Sequence, residues 1–284
     1  MAALTADGRL AWRDTYGPGR IDDAVRVPDG GALLVGGERT TVITPGGAEI
    51  WSERYGDDRI EVAARLGNGY VLAGAATDGA DPDRLLLRIE ATGGIEWRET
   101  RSVEGTDTFT GAAVHNDTIH VAGTASSSEG SNDRTTVAVY RDDGTRESAQ
   151  SYRGDAAGGA TAVTAGPSGG VAAVPRDRNG CLVRFEAAEP GGTVDLAASP
   201  YAVTTLENGR YLVVGSLEGE AYAGVVTPEF GSSEGLLAEG GAGSDSDDDA
   251  GTAGSESSGA ATTAGGAPAT PGLPVAMAAA CQPA

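Results

Sequence analysis

The chain has 284 residues, 45 of them glycine, and 39% of it is hydrophobic, which is enough apolar surface for one all-β body of about 230 residues. Its 41 acidic residues face 20 basic ones, all Arg, for a formal net charge of −21, so nucleic acid and anionic lipid are excluded as partners by repulsion. No run reaches the roughly 18 consecutive apolar residues of a membrane helix, and no long 3.6-residue period is present.

In chain order, Ala2–Leu4 reads as a strand, Asp7-Gly8 as a turn and Arg9–Tyr16 as a strand carrying Trp12. The same order returns in full over Pro45–Gly74. There Pro45-Gly46-Gly47 is a turn, Glu49–Tyr55 an outer strand, and Ile60, Val62 and Ala64 one face of a half-buried strand. Gly67-Asn68-Gly69 is a tight hairpin turn and Tyr70–Ala73 a buried strand closed by Gly74.

Gly-x-x-x-Trp recurs as Gly8/Trp12, Gly47/Trp51 and Gly93/Trp97, and decays to Gly144/Ser148 and Gly192/Leu196. Four residues after the Trp position stand Tyr16, Tyr55, Arg101 and Tyr152. Further strands recur at Ala32–Gly36, Ile119–Gly123, Val171–Pro175 and Tyr211–Gly215. The period is roughly 40 to 50 residues with four short strands per unit, the pattern of a β-propeller blade. The expectation is an all-β propeller over residues 1–230, with five four-stranded blades. The N-terminal strand Arg9–Tyr16 would close the last one. A fragment of a larger ring is the alternative, since Ala2–Leu4 is surplus to such a closure.

Residues 231–284 turn to Gly, Ala, Ser, Thr and Asp with no Arg, a composition expected to stay disordered. The N-terminus shows no signal-peptide pattern. Of two cysteines, Cys181 falls in a strand and reads as a small buried apolar residue, while Cys281 lies in the tail. Two such residues make no disulfide framework.

Tight turns fall on one side of the expected sheets and longer acidic connections on the other. Variable loops on a rigid scaffold are where binding concentrates. Asp22, Asp23, Asp57, Asp58, Asp107 and Asp155 lie in the loops that enter the first strands, near a central channel mouth. Like charges held close would be relieved by a cation or a basic partner group. Acid everywhere on the surface of a halophile's protein is the plainer reading of the same residues. Asp78, Asp81 and Asp83 share one loop that could hold Ca²⁺, without the spacing of an EF-hand. His115 and His120 follow no pairing period, and no Ser-His-Asp, zinc or phosphate-loop pattern is present.

The Gly-x-x-x-Trp copies resemble the tryptophan-docking repeats of quinoprotein-type (PQQ-like) propellers. That resemblance implies that Trp12, Trp51 and Trp97, with Tyr16, Tyr55 and Tyr152, lock neighbouring blades. The cofactor carboxylate and adjacent cysteines of quinoprotein dehydrogenases have no match here, so no catalytic residue and no cofactor is carried over. The tail, with its Gly243–Gly266 stalk and Pro271-Gly272-Leu273, resembles the sorting region of haloarchaeal surface proteins. The functional expectation is a monomeric, surface-displayed or secreted scaffold that binds a protein or cationic ligand through its acidic loop face. A quinoprotein-like or glycan-active propeller enzyme is the alternative, and the missing signal peptide leaves a cytoplasmic location open.

Overall fold

The computed structural model describes residues 1–16, 20–77, 81–101, 107–125, 134–153, 159–166, 169–175, 180–185, 192–207, 209–227 and 282–283. The expectation for 231–281 lies outside them, as do Asp78, Asp155 and the side chain of Tyr152.

Among the described residues all regular structure is antiparallel β, in six sheets. The short strands β1 (Ala2–Leu4) and β2 (Leu10–Arg13) form a two-stranded sheet. Blade one is the meander β3 (Asp23–Arg26), β4 (Ala32–Gly36), β5 (Arg39–Ile43) and β6 (Glu49–Arg54). Blade two is β7 (Arg59–Leu66), β8 (Gly69–Ala76), β9 (Asp83–Ile89) and β10 (Ile95–Arg101). Blade three is β11 (Asp107–His115), β12 (Thr118–Ala125), β13 (Arg134–Arg141) and β14 (Arg146–Arg153). Blade four is β15 (Ala162–Gly166), β16 (Gly169–Pro175), β17 (Gly180–Phe185) and β18 (Thr193–Leu196). A last blade holds three strands, β19 (Ser199–Thr205), β20 (Tyr211–Leu217) and β21 (Glu220–Val226).

Period-two alternation explains why the blades stack. In β9, Leu85, Leu87 and Ile89 face blade one's Leu33, Val35 and Val42. Leu86, on the opposite face, meets Phe109, Ile119 and Val121 of blade three. A middle strand therefore buries both faces, and its run reads as continuously apolar. The same interleaving joins blade three to four through Val137, Val139, Cys181 and Val183, and blade four to five through Val171, Leu182, Val203 and Val213.

Three points differ from the sequence expectation. β2 does not close the last blade: it pairs with β1, and β19–β21 remain three-stranded. The innermost strands pack in succession from β3 to β7, β11, β15 and β19, with no comparable packing of β19 on β3 among the described residues. Tyr201, Val214 and Val225 are consequently exposed on the last blade. The reason lies at the surplus strand: Ala2–Leu4 satisfies the inner edge of β2 locally, which a closing strand would have offered to β21. Cys181 is fully buried but disulfide-bonded, and the only other cysteine in the sequence is Cys281. Beside that position Gln282–Pro283 form β22, which pairs with Arg153 and Tyr152 at the outer edge of blade three. At its very end, then, the tail has a partner that composition does not encode.

Candidate functional site

The repeat first fixes the outer seams. Trp12 donates its indole Nε1–H to Pro45 O at 2.8 Å, Trp51 to Ala91 O at 3.0 Å and Trp97 to Asp142 O at 2.8 Å. Each acceptor lies in the turn of the next blade, two residues before Gly47, Gly93 or Gly144. A Cβ on those glycines would meet the docked indole at 3.0–3.4 Å, and each takes a positive φ. Tyr16 and Tyr55 complete the dock, their hydroxyls donating to Gly47 O at 2.6 Å and Gly93 O at 3.0 Å. Burial, aided by Glu53, raises the Tyr55 phenol above its ordinary value, so it stays a neutral donor. The three indoles are half-buried, because one face packs on the turn and the other forms the rim.

At the inner strands blades two and three and the last blade carry a β-bulge, and its extra residue is turned off the regular ladder. The register shifts at Glu61, Thr110 and Tyr201, and Asp22 and Thr161, whose N–H groups donate to Val35 O and Ala173 O, hold the equivalent positions in blades one and four. In blades three and four this residue bridges to the neighbour: Thr110 Oγ1 donates to Ala160 O, and Thr161 Oγ1 to Pro200 O at 3.2 Å. In blades one and two it is a carboxylate. Asp22 pairs with Arg20 and Glu61 with Arg59 at 3.2 Å, and Thr108 Oγ1 donates to Glu61 Oε1 at 3.4 Å. The carboxylates are sunk, with side chains 12% and 16% exposed, while the guanidinium side chains of Arg20 and Arg59 stand out at 71% and 53%. Burial raises the Glu61 carboxyl above the usual range, with Arg59 opposing and Asp22 adding to the rise. The result is a two-sign charge cluster of Arg20, Asp22, Arg59, Glu61 and Thr108 across three blades.

The aspartates singled out in the sequence divide around this cluster. Asp22 is in it. Asp23 is structural, its Oδ1 accepting from Ala24 N at 2.7 Å and its Oδ2 from Ala63 N of blade two at 3.0 Å. Asp57 is exposed on the same loop side. Asp58 is buried and accepts from Arg98 through Nε at 3.2 Å and Nη2 at 3.1 Å. Asp107 is fully buried 3.5 Å from Arg84, which also donates to Thr136 Oγ1 at 3.1 Å and lies over the Phe109 ring. Burial lowers the Arg84 pKa while Asp107 opposes the shift. Among the described residues no three His, Cys, Asp or Glu side chains converge as metal ligands would. Asp155 lies outside those residues.

Sequence reasoning missed Glu61, Arg20 and Arg59. The signal was present as Arg20-x-Asp22 and Arg59-x-Glu61, the same Arg-x-acid pattern at the entry to two equivalent strands. His120, which no sequence pattern marked, is a core residue. It is buried against the edge of Phe185, ring centroids 5.6 Å apart, and burial lowers its pKa to about 4.

No protein-family model matches the chain, and no curated protein matches it significantly. Among solved structures it is similar to hydrazine synthase of Kuenenia stuttgartiensis, with a TM-score of 0.55 and 11% identity over 73% of this chain and 71% of that one. A Bacteroides caccae protein of unknown function covers 73% of this chain and 74% of its own at 14% identity, TM-score 0.46. The WD40 domain of Neurospora crassa Pan2 covers 72% and 74% at 10% identity, TM-score 0.37. At these identities the likeness concerns the fold alone: the chain is an all-β repeat protein of the β-propeller type.

Proposed function

We propose that this protein is a non-enzymatic β-propeller that binds a protein segment across Arg20, Asp22, Arg59, Glu61 and Thr108. One observation carries the reading. At equivalent positions blades three and four use a threonine to bridge to their neighbour, whereas blades one and two carry ion-paired carboxylates beside exposed guanidiniums. An exposed guanidinium can take a partner's carboxylate in a bidentate pair, and Asp57 on the same loop side favours a basic residue next to it. The fitting ligand is a peptide segment with both charge signs. A bare cation fits less well, because Asp58 and Asp107 already face Arg98 and Arg84.

The acid excess and the absence of Lys support a protein adapted to molar salt, and the Gly243–Gly266 stalk supports display at a cell surface. The docked tryptophans support kinship with PQQ-like repeats as scaffolds, without their cofactor. Selection of displayed peptides on immobilised protein at about 3 M KCl, where long-range repulsion is screened, tests the binding reading. Enriched peptides should carry adjacent acidic and basic residues and should be lost from an Arg59→Ala/Glu61→Gln variant. A selection that enriches nothing, or equal capture by the variant, overturns it.

A further inference from the structure

Four turns leading into outer strands are built alike. In each, a glycine with φ between +78° and +93° donates its N–H to the carbonyl three residues earlier: Gly8 to Thr5, Gly47 to Thr44, Gly93 to Glu90 and Gly144 to Arg141. Three of them carry a docked indole. On Gly8 nothing lies within 4 Å of where a Cβ would stand. Ala6 O, the counterpart of Pro45 O, Ala91 O and Asp142 O, receives no indole, since the chain's three tryptophans are all docked elsewhere.

A second observation comes from the side chain four residues before each glycine. Ile43, Ile89 and Tyr140 are 1%, 0% and 1% exposed, whereas Leu4 is 67% exposed. Among the described residues, this large apolar side chain at a core position of the repeat has no neighbour that buries it. β1 and β2 also show that a two-stranded piece can be held on a blade by one such dock, Trp12 on Pro45 O with Tyr16 on Gly47 O.

We propose that the Gly8 turn, with Ala6 O and Leu4, is a docking site for the outer strand of a propeller blade carried by a partner chain. That strand bears Trp-x-x-x-Tyr. Its indole N–H donates to Ala6 O, its indole face covers Gly8, and its tyrosine hydroxyl reaches Gly8 O. A second copy of this chain is a poor occupant, because its own indoles are already engaged.

The probe is a labelled synthetic peptide with the sequence of residues 48–56, followed by fluorescence anisotropy against the full chain in high salt. Saturable binding is expected. A Trp51→Ala peptide should lose about tenfold or more in affinity, as removal of an aromatic anchor does. Gly8→Asn should lose as much, since Asn tolerates the positive φ but places its side chain where the indole would lie. The peptide variant leaves the protein untouched, so the test stands even if Gly8→Asn disturbs the turn. Non-saturable binding, or equal affinity for the Trp51→Ala peptide, overturns the proposal.

Discussion

The seams between blades are fastened in two ways, and the difference follows the chain. From β2 through blade two, each outer strand sends a tryptophan into the next turn. From blade three onward the tryptophan position holds Ser148 and then Leu196, and the fastening moves inward. Thr110 bridges to Ala160 O, Thr161 to Pro200 O, Thr164 to Thr205 at 3.0 Å, and His120 lies edge-on to Phe185. A blade locked at its rim does not need the residue at that inner position as a bridge. In blades one and two that residue is free to be Asp22 or Glu61. The site is thus a consequence of how the early seams are held.

The largest expected effect lies where blades two and three meet. Arg84 and Asp107 are both buried there, and removing one takes the buried ion-pair partner from the other. Arg84→Met should cost about 3–5 kcal/mol in chemical denaturation, and Arg84→Met/Asp107→Leu should recover most of it. If the single variant is no less stable than wild type, the pair is not what holds that seam.

The later seams should respond to acid in a way the tryptophan seams do not. His120 has a folded pKa of about 4 against 6.5 for the exposed group, so it is buried neutral. Its depressed pKa makes the unfolded state bind the extra proton between those values. Stability from this group is fully present above pH 6.5 and falls as pH drops toward 4, by up to about 3 kcal/mol. Denaturation of wild type and His120→Leu should give stability curves that run parallel above about pH 6.5, with wild type losing stability relative to the variant as pH falls from there toward 4. Curves that stay parallel throughout would mean that His120 does not titrate between the blades.

The rim contributes less per residue, because the indoles are half-buried. Trp97→Ala should cost about 2 kcal/mol, below the range for a fully buried aromatic. Trp12→Ala should loosen β1 and β2 alone, seen as local hydrogen exchange without a shift in the global midpoint.

The rim was legible in the sequence because Trp and Gly recur at fixed spacing, and a dock needs both. The blades were legible for the same reason. The inner site was not, because a bulge inserts a residue and moves Glu61 off the alternation that identifies strand faces. Asp58 and Asp107 looked like loop acids because their arginines arrive from elsewhere, Arg98 lying 40 residues beyond Asp58. The disulfide of Cys181 was hidden likewise, since its strand reads as ordinary core. Closure by Arg9–Tyr16 failed as an expectation because a strand pattern does not say which of two available edges it will take.

The smallest expected effect bears most directly on the division between bridge and site. Thr110→Val and Thr161→Val keep shape and remove one hydroxyl donor each, so each should cost about 1 kcal/mol. Asp22→Asn and Glu61→Gln keep shape as well and change only charge at a partly open position. They should stay within about 0.5 kcal/mol of wild type, because each pairs with an exposed guanidinium and such ion pairs contribute little. Glu61→Gln should also abolish selection of two-sign peptides, while Thr161→Val should leave it intact. Four denaturation midpoints and two binding selections then separate the roles. If Glu61→Gln destabilises as much as Thr161→Val and binds normally, the carboxylates of blades one and two are bridges like the threonines, and the cluster is part of the scaffold.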